Sequence, residues 1–304
     1  MKHKELITQI FEQIRTTENN GEKASFIPEL AKVDSESFGV HISTINSEQF
    51  GIGNYQEKFS IQSISKVFSL ALAYKLLGEE LWNRLGVEPS GTAFNSLVQL
   101  EKDKGIPRNP FINAGALVVT DILLSNLHNP KKEFLAFIRS LSNDNKINYS
   151  SKIAASEKSV GYRNVALCNF IKSFGNIENE PNKVLDFYFD ICSLEFTCEQ
   201  LSEQFLFLAN NGKTAHNNVE ILTKSQSKRI NALMQTCGFY DESGEFAFKV
   251  GLAGKSGVGG GIVAIHPNQY VITVWSPKLN KKGNSYRGMQ FLEAFTTATQ
   301  QSLF

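Results

Sequence analysis

Apolar and polar positions follow three different rhythms along this chain. Near the start, Leu6, Ile7, Ile10, Phe11 and Ile14 recur every three or four positions, which places them on one stripe of a helix and predicts a helix over 2–16. The connector "NGEKASFIPEL" follows, and its Pro28 restricts Ile27 to extended geometry. "GVHISTIN" (39–46) then alternates Val40, Ile42 and Thr44, as a strand does.

From about residue 63 to 215 the helical period takes over. It predicts helices over 65–78, 114–128, 132–142, 163–174, 183–192 and 198–210, several ending near Gly or Asn, with Gly78 as the first stop. The last quarter changes again. "GEFAFKVGLAGKSG" (244–257), "GGGIVAIHP" (259–267) and "QYVITVWSP" (269–277) read as consecutive antiparallel strands separated by turns. "SYRGMQFLEAFTTATQQSL" (285–303) closes the chain as a helix.

Strands at both ends around a helical block predict an α/β (α+β) fold. Its antiparallel sheet is built from both termini, flanked by helices and interrupted by a helical insert. The expected division is 1–62 with 216–304 as the sheet domain and 63–215 as the insert, with the active site at the seam.

A length of 304 residues suffices for two such units. The 31 basic and 30 acidic residues leave no field for nucleic acid or an acidic membrane surface. The first residues carry Glu5 and Glu12 and no apolar h-region, so no signal peptide is expected. No apolar run approaches the ~18 residues of a membrane span. Four cysteines without C-x-x-C spacing and five histidines without H-x-x-x-H predict no metal site and a reduced, cytoplasmic setting.

The chemistry concentrates in "FSIQSISKVF" (59–68), where Ser63 stands three residues before Lys66 amid Ile61, Ile64, Val67 and Phe68. Residues three apart on a helix are neighbours, and a serine needs a base to become a nucleophile. A lysine serves when its amine is neutral. Lowering its pKa from ~10.4 to ~7.4 takes about 4 kcal/mol against the cation, which dry surroundings supply. A second S-x-x-K, Ser225–Lys228 in "TKSQSKRI", lies among polar residues and reads as incidental.

"GKSGVGGG" (254–261) adds a Lys-Ser-Gly box opening a glycine run, where a backbone N–H can face an oxyanion. The two boxes in this order point to a β-lactamase/transpeptidase-like fold. Further candidates each carry a structural alternative. Asn113 in "RNPFINAGA" (108–116) also suits a turn, and Glu157 in "SEKSVGYRN" (156–164) also suits solvent. Asn164 lies seven residues after Glu157, hence on the same face of a helix. Tyr188 in "LDFYFDICSLEFTCE" (185–199) also suits a core, and Tyr240 in "CGFYDESGEFAFKVG" (237–251) a loop.

Six blocks together carry a resemblance: "FSIQSISKVF", "EPSGTAFNS" (88–96), "NPFINAGA", "LDFYF", "CGFYDESGEFAFKVGLAGKSGVGGG" and "GNSYRG" (283–288). The chain resembles the serine-dependent glutaminase family from about residue 26 to 295. The resemblance implies that Ser63 attacks the side-chain amide of L-glutamine, with Lys66 as general base. It implies that Tyr240 shuttles a proton to departing ammonia, and that the N–H groups of Ser63 and Val258 form the oxyanion hole. It assigns Gln62, Asn113, Glu157, Asn164 and Tyr188 to the amino-acid head of the substrate. It also implies no cofactor and a homotetramer or homodimer.

One departure is chemical. The family's "YIPQL" is "FIPEL" here, so Phe26 stands where a tyrosine hydroxyl is usual. Losing a hydrogen bond to a charged group costs ~1.5–3 kcal/mol. Ala253–Gly254 before Lys255 and Tyr162 before Arg163 depart without removing a catalytic group. The rival readings are a β-lactamase or transpeptidase, a non-hydrolytic glutamine-binding sensor of the same fold, and a scaffold without a small-molecule site.

Overall fold

The computed structural model describes residues 3–90 and 97–304. Lys2 of the first predicted helix and residues 91–96 of the "EPSGTAFNS" block lie outside the described residues. In chain order the strands are β1 (Gly39–Thr44), β2 (Gln49–Gly53), β3 (Phe59–Ser60), β4 (Asn148–Tyr149), β5 (Leu194–Phe196), β6 (Ala253–Ser256), β7 (Gly261–His266) and β8 (Tyr270–Trp275). The first six helices are α1 (Lys4–Arg15), α2 (Ser65–Leu77), α3 (Leu97–Lys102), α4 (Asn113–Asn126), α5 (Pro130–Ser142) and α6 (Ser151–Val160). The remaining six are α7 (Tyr162–Ser173), α8 (Pro181–Cys192), α9 (Cys198–Ala209), α10 (Lys224–Cys237), α11 (Ser243–Lys249) and α12 (Tyr286–Thr299).

The main sheet runs β2-β1-β8-β7-β6, antiparallel throughout, with Val40 opposite Val274 and Ile262 opposite Val274 on the other side. N-terminal and C-terminal strands therefore share one sheet, as the pattern at the two ends predicts. A smaller sheet, β3-β5-β4, ties the approach to α2 to the end of α8.

Side chains alternate across the main sheet, and both faces are apolar. Ile262 and Ala264 of β7 and Ile272 and Val274 of β8 pack with Ile7, Ile10 and Phe11 of α1 and Phe291 and Phe295 of α12. Val263, Ile265, Val271 and Trp275 face the opposite way, into the core of the helical block. Helices on both sides explain why these strands read as unbroken apolar runs instead of a clean alternation. A one-residue slip would exchange the two sets, so the register is strongly specified.

On that second face α9 lies across β1 and β8, started by a Thr197–Gln200 capping box. Helix α2 is enclosed: every residue from Ser65 to Tyr74 is buried. A helix apolar all round belongs in a core, which is where the predicted 65–78 segment sits.

The expected strand over 244–257 is corrected at its start. Residues 243–249 form α11, and only Ala253–Ser256 is strand. "FAFKV" alternates like a strand, yet Phe248 is 89% exposed while Phe246 and Val250, four apart, are buried. That is the helical period, and burying those two side chains is worth ~1.5–3 kcal/mol each. The sequence also carried an unread signal for α10: Thr223 and Gln226 form a capping box at its start.

Candidate active site

The turn that carries Ser63 is built by what precedes α2. After β3 the chain enters a 3₁₀ turn, Gln62–Ile64, with Gln62 at a φ of 50°. A non-glycine residue there is strained and persists only where its surroundings hold it. Ser65 Oγ donates to the Gln62 carbonyl at 2.6 Å, and Gln62 Nε2 donates to Ser60 Oγ at 2.8 Å and to Glu157 Oε1 at 2.7 Å. Ser63 thus sits in the 3₁₀ turn, one residue pair ahead of the helix on which it was expected, and is half-buried.

Lys66, in the first turn of α2, is 1% exposed. Its Nζ donates to the Phe111 carbonyl at 3.1 Å and to Asn113 Oδ1 at 2.7 Å. Burial lowers its pKa to about 8, against an opposing pull from Cys192 and Glu157. The dry setting expected around it is present: Ile61, Ile64, Val67 and Phe68 are all fully buried.

Tyr240 enters from a second strained position, at a φ of 58°. Its hydroxyl is hydrogen-bonded with Ser63; burial raises its pKa and the Ser63 bond works the other way. Lys66 Nζ stands 5.6 Å from the centre of its ring. The third side of Ser63 is the β6–β7 turn. A side chain on Gly257 would collide with the Ile61 carbonyl, and one on Gly259 with the Ser60 carbonyl. Glycine on either side of Val258 lets that turn press against the Ser63 turn.

The remaining residues converge from the helical block. Asn113, at the start of α4, accepts from Lys66 and donates through Nδ2 to Asn164 Oδ1 at 3.0 Å. Glu157 and Asn164 do reach the same cavity, but not from one helical face: Gly161 separates α6 from α7 and each helix contributes one residue. Buried Glu157 has its pKa raised to about 7 by desolvation, with Gln62 and Lys66 pulling it down. Burial also raises that of Tyr188.

These elements enclose a cavity of about 210 Å³. Gln62, Ser63, Asn113, Glu157, Asn164, Tyr188, Tyr240 and Val258 all line it, and Lys66 lies behind Asn113. Phe26 and Ile27 form part of its rim, held by the Glu29 amide donating to Ser156 Oγ of α6 at 3.2 Å. Sequence reading missed Cys192, Val160, Gly161 and Arg163 in the lining. Cys192 follows Tyr188 by one turn of α8, and that spacing was the available signal. Among the described residues no group of three or more His, Cys, Asp or Glu side chains is placed to hold a metal ion.

A sheet from both termini, a serine turn opening a buried helix, and a facing Lys-Ser-Gly strand make this a β-lactamase-like fold. Comparison with known proteins narrows the class. The chain belongs to the glutaminase family, hydrolases acting on amide bonds: the family's model, described as Glutaminase, matches residues 21–304. Among its relatives, the glutaminase of Christiangramia forsetii is 56% identical over 304 residues, covering 100% of both chains. That of Saccharophagus degradans is 55% identical over 302 residues, covering 99% of this chain and 98% of the relative. A solved structure described as "Probable glutaminase ybaS" superimposes with a TM-score of 0.93 at 30% identity, covering 99% of this chain and 97% of the other. The Bacillus subtilis glutaminase YbgJ, solved as a covalent complex with 5-oxo-L-norleucine formed from 6-diazo-5-oxo-L-norleucine, gives 0.88 at 28% identity, covering 98% and 99%.

Proposed function

We propose that the chain hydrolyses the side-chain amide of L-glutamine to L-glutamate and ammonia through a glutamyl-Ser63 intermediate. The observation that carries this reading is the pairing of a half-buried Ser63, bonded to Tyr240, with a lysine whose pKa burial lowers to about 8. A neutral amine has two N–H bonds, which suffice for the Phe111 carbonyl and Asn113 Oδ1. Its lone pair is then free to take the Ser63 proton.

Attack of Ser63 Oγ on the amide carbonyl forms the C–O bond and an oxyanion. The amides of Ser63 and Val258 receive that oxyanion, a contribution worth ~2.7–4 kcal/mol per donor. Breaking the C–N bond releases ammonia, with Tyr240 passing it the proton. Water then attacks the ester carbonyl, its proton returns by the same route, and glutamate leaves. Glu157 suits the α-ammonium, while the amides of Asn113 and Asn164 and the phenol of Tyr188 suit the α-carboxylate. Selection of the free amino acid over a peptide-bound glutamine follows from those two charges. No cofactor enters the scheme.

The covalent complex formed by the relative YbgJ with 5-oxo-L-norleucine supports a nucleophilic, covalent route for this family member. The two-part division at 63 and 216, with the site at its seam, belongs to the same reading, as do a homotetramer or homodimer and a cytoplasmic setting. The four cysteines are free and buried, which fits a reducing compartment. No described helix is long and apolar enough to cross a membrane.

A second reading, a glutamine sensor without turnover, is favoured by Phe26, which brings no hydroxyl to the cavity rim. One experiment separates them. Ammonia and glutamate release from L-glutamine is measured with wild type and Ser63→Ala, with asparagine as competitor and glutamine binding followed by calorimetry. Release that Ser63→Ala abolishes while keeping binding is the expected result. Binding without release by the wild type establishes the sensor, and turnover retained by Ser63→Ala removes Ser63 from its role.

A further inference from the structure

The mechanism leaves one buried carboxylate unused. Glu242 closes the 3₁₀ turn that begins at Tyr240, and it is 4% exposed. Its partners are side-chain amides. Asn280 Nδ2 donates to Oε1 at 2.9 Å and to Oε2 at 3.0 Å, and Asn284 Nδ2 donates to Oε2 as well. A carboxylate this deep is tolerated only where hydrogen bonds replace water, and these come from the connection between β8 and α12. We propose that Glu242 is a positioning residue that clamps the Tyr240 turn to the 280–284 loop and so keeps the Tyr240 hydroxyl at Ser63.

The turn needs such a hold. Tyr240 lies at a φ of 58°, a conformation that survives only when its neighbours over-determine it. Ahead of the tyrosine, Lys255 Nζ of β6 donates to the Gly238 carbonyl at 2.9 Å and lies 4.3 Å from the centre of the Tyr240 ring. Within the turn, Ser243 Oγ accepts from the Phe239 amide at 3.1 Å and donates to the Tyr240 carbonyl at 3.0 Å. Those last two bonds shape the turn without tying it to another element; Glu242 makes that tie just after the tyrosine. The loop it holds is itself fixed. Asn280 Oδ1 accepts the amides of Lys282 at 3.0 Å and Asn284 at 3.1 Å, which turns its Nδ2 toward Glu242. Ser285 Oγ donates to the Ser276 carbonyl at 2.7 Å, and Leu279 bridges to Glu22. Leu279 also joins Ile27 and Leu30 in a small apolar cluster that packs against Val258. The same connection therefore touches the cavity rim and the oxyanion turn, and Glu242 adds the phenol to what it positions.

This inference rests on Tyr240 as the proton shuttle, and the test separates the two. The full chain is assayed on L-glutamine as wild type, Glu242→Gln, Tyr240→Phe and their double variant, with kcat, KM and melting temperature for each. Glu242→Gln sets one amide against another and is expected to lower kcat about tenfold with KM within about threefold. In Tyr240→Phe it should cost less than about twofold further. Exchanging the partners, Glu242→Gln with Asn280→Asp, restores a donor opposite each acceptor and should return kcat to within about threefold of wild type. Equal losses from Glu242→Gln in both backgrounds, a rise in KM alone, or no recovery on exchange overturns the clamp and leaves the shuttle standing. An unchanged kcat in Tyr240→Phe defeats the shuttle reading and this inference with it. Should Glu242→Gln not fold, Glu242→Asp keeps the carboxylate but shortens its reach, and runs through the same cycle with Tyr240→Phe.

Discussion

Ser63–Lys66 and Ser225–Lys228 share the same spacing, and each falls at the start of a helix. In the first, Lys66 is buried, its amine is spoken for by Phe111 and Asn113, and the serine faces a cavity. In the second, both side chains lie on the exposed face of α10, whose buried residues include Ser227, Ile230 and Met234. The difference shows that the spacing supplies only proximity. Reactivity requires desolvation, which costs the Lys66 cation about 3 kcal/mol, and acceptors that leave one lone pair to spare.

The sharpest way to break this contrast is to remove each amine. Lys66→Met is expected to lower kcat about 10²–10⁴-fold, the range for a general base, in a steady-state assay of ammonia release. As the proposed base, Lys66 should also give wild-type kcat/KM an acid limb. As pH falls through about 8, Lys66 takes a proton, and below about 7 Glu157 loses the charge that suits the α-ammonium. Both changes act in the same direction, so a profile that stays flat from pH 6 to 9 would contradict the assignment.

A smaller effect is expected at the rim. Phe26→Tyr should raise kcat/KM on glutamine about tenfold if a phenol there reaches the substrate. The ring is 62% exposed, so solvent competes for the hydroxyl; an unchanged value would show the hydroxyl to be dispensable. The smallest effect belongs to the second pair. Ser225→Ala with Lys228→Met should leave kcat/KM within twofold and stability within about 0.5 kcal/mol by denaturant melting. A larger loss would mean that burial is not what separates the two pairs.

Much of this was legible in the sequence, because residue type and spacing report local period and chemistry. The boxes around Ser63 and Lys255 stood out, and so did six helices of the central block, though not α3 or α6, and the sharing of one sheet by both termini. What escaped depended on which side chains are covered. "FAFKV" looked like a strand until the exposure of Phe248 showed the helical period. Glu157 and Asn164 are a helical repeat apart, yet Gly161 breaks the helix between them. Nothing in a linear pattern places Lys255 over the Tyr240 ring, because a contact between a strand and a turn is set by tertiary packing.

The sheet has a consequence for how the protein is made. β1 pairs with β8, and the Ser63 turn is pressed by glycines that follow β6. A ribosome therefore exposes Ser63 and the whole helical block long before the strands that complete the cavity. β1 has β2 as its early partner, but its other edge stays open until residues 270–275 of β8 are made. Pairing over so long a separation in sequence is slow, so the cavity around Ser63 is completed only when β6 and β7 join the sheet.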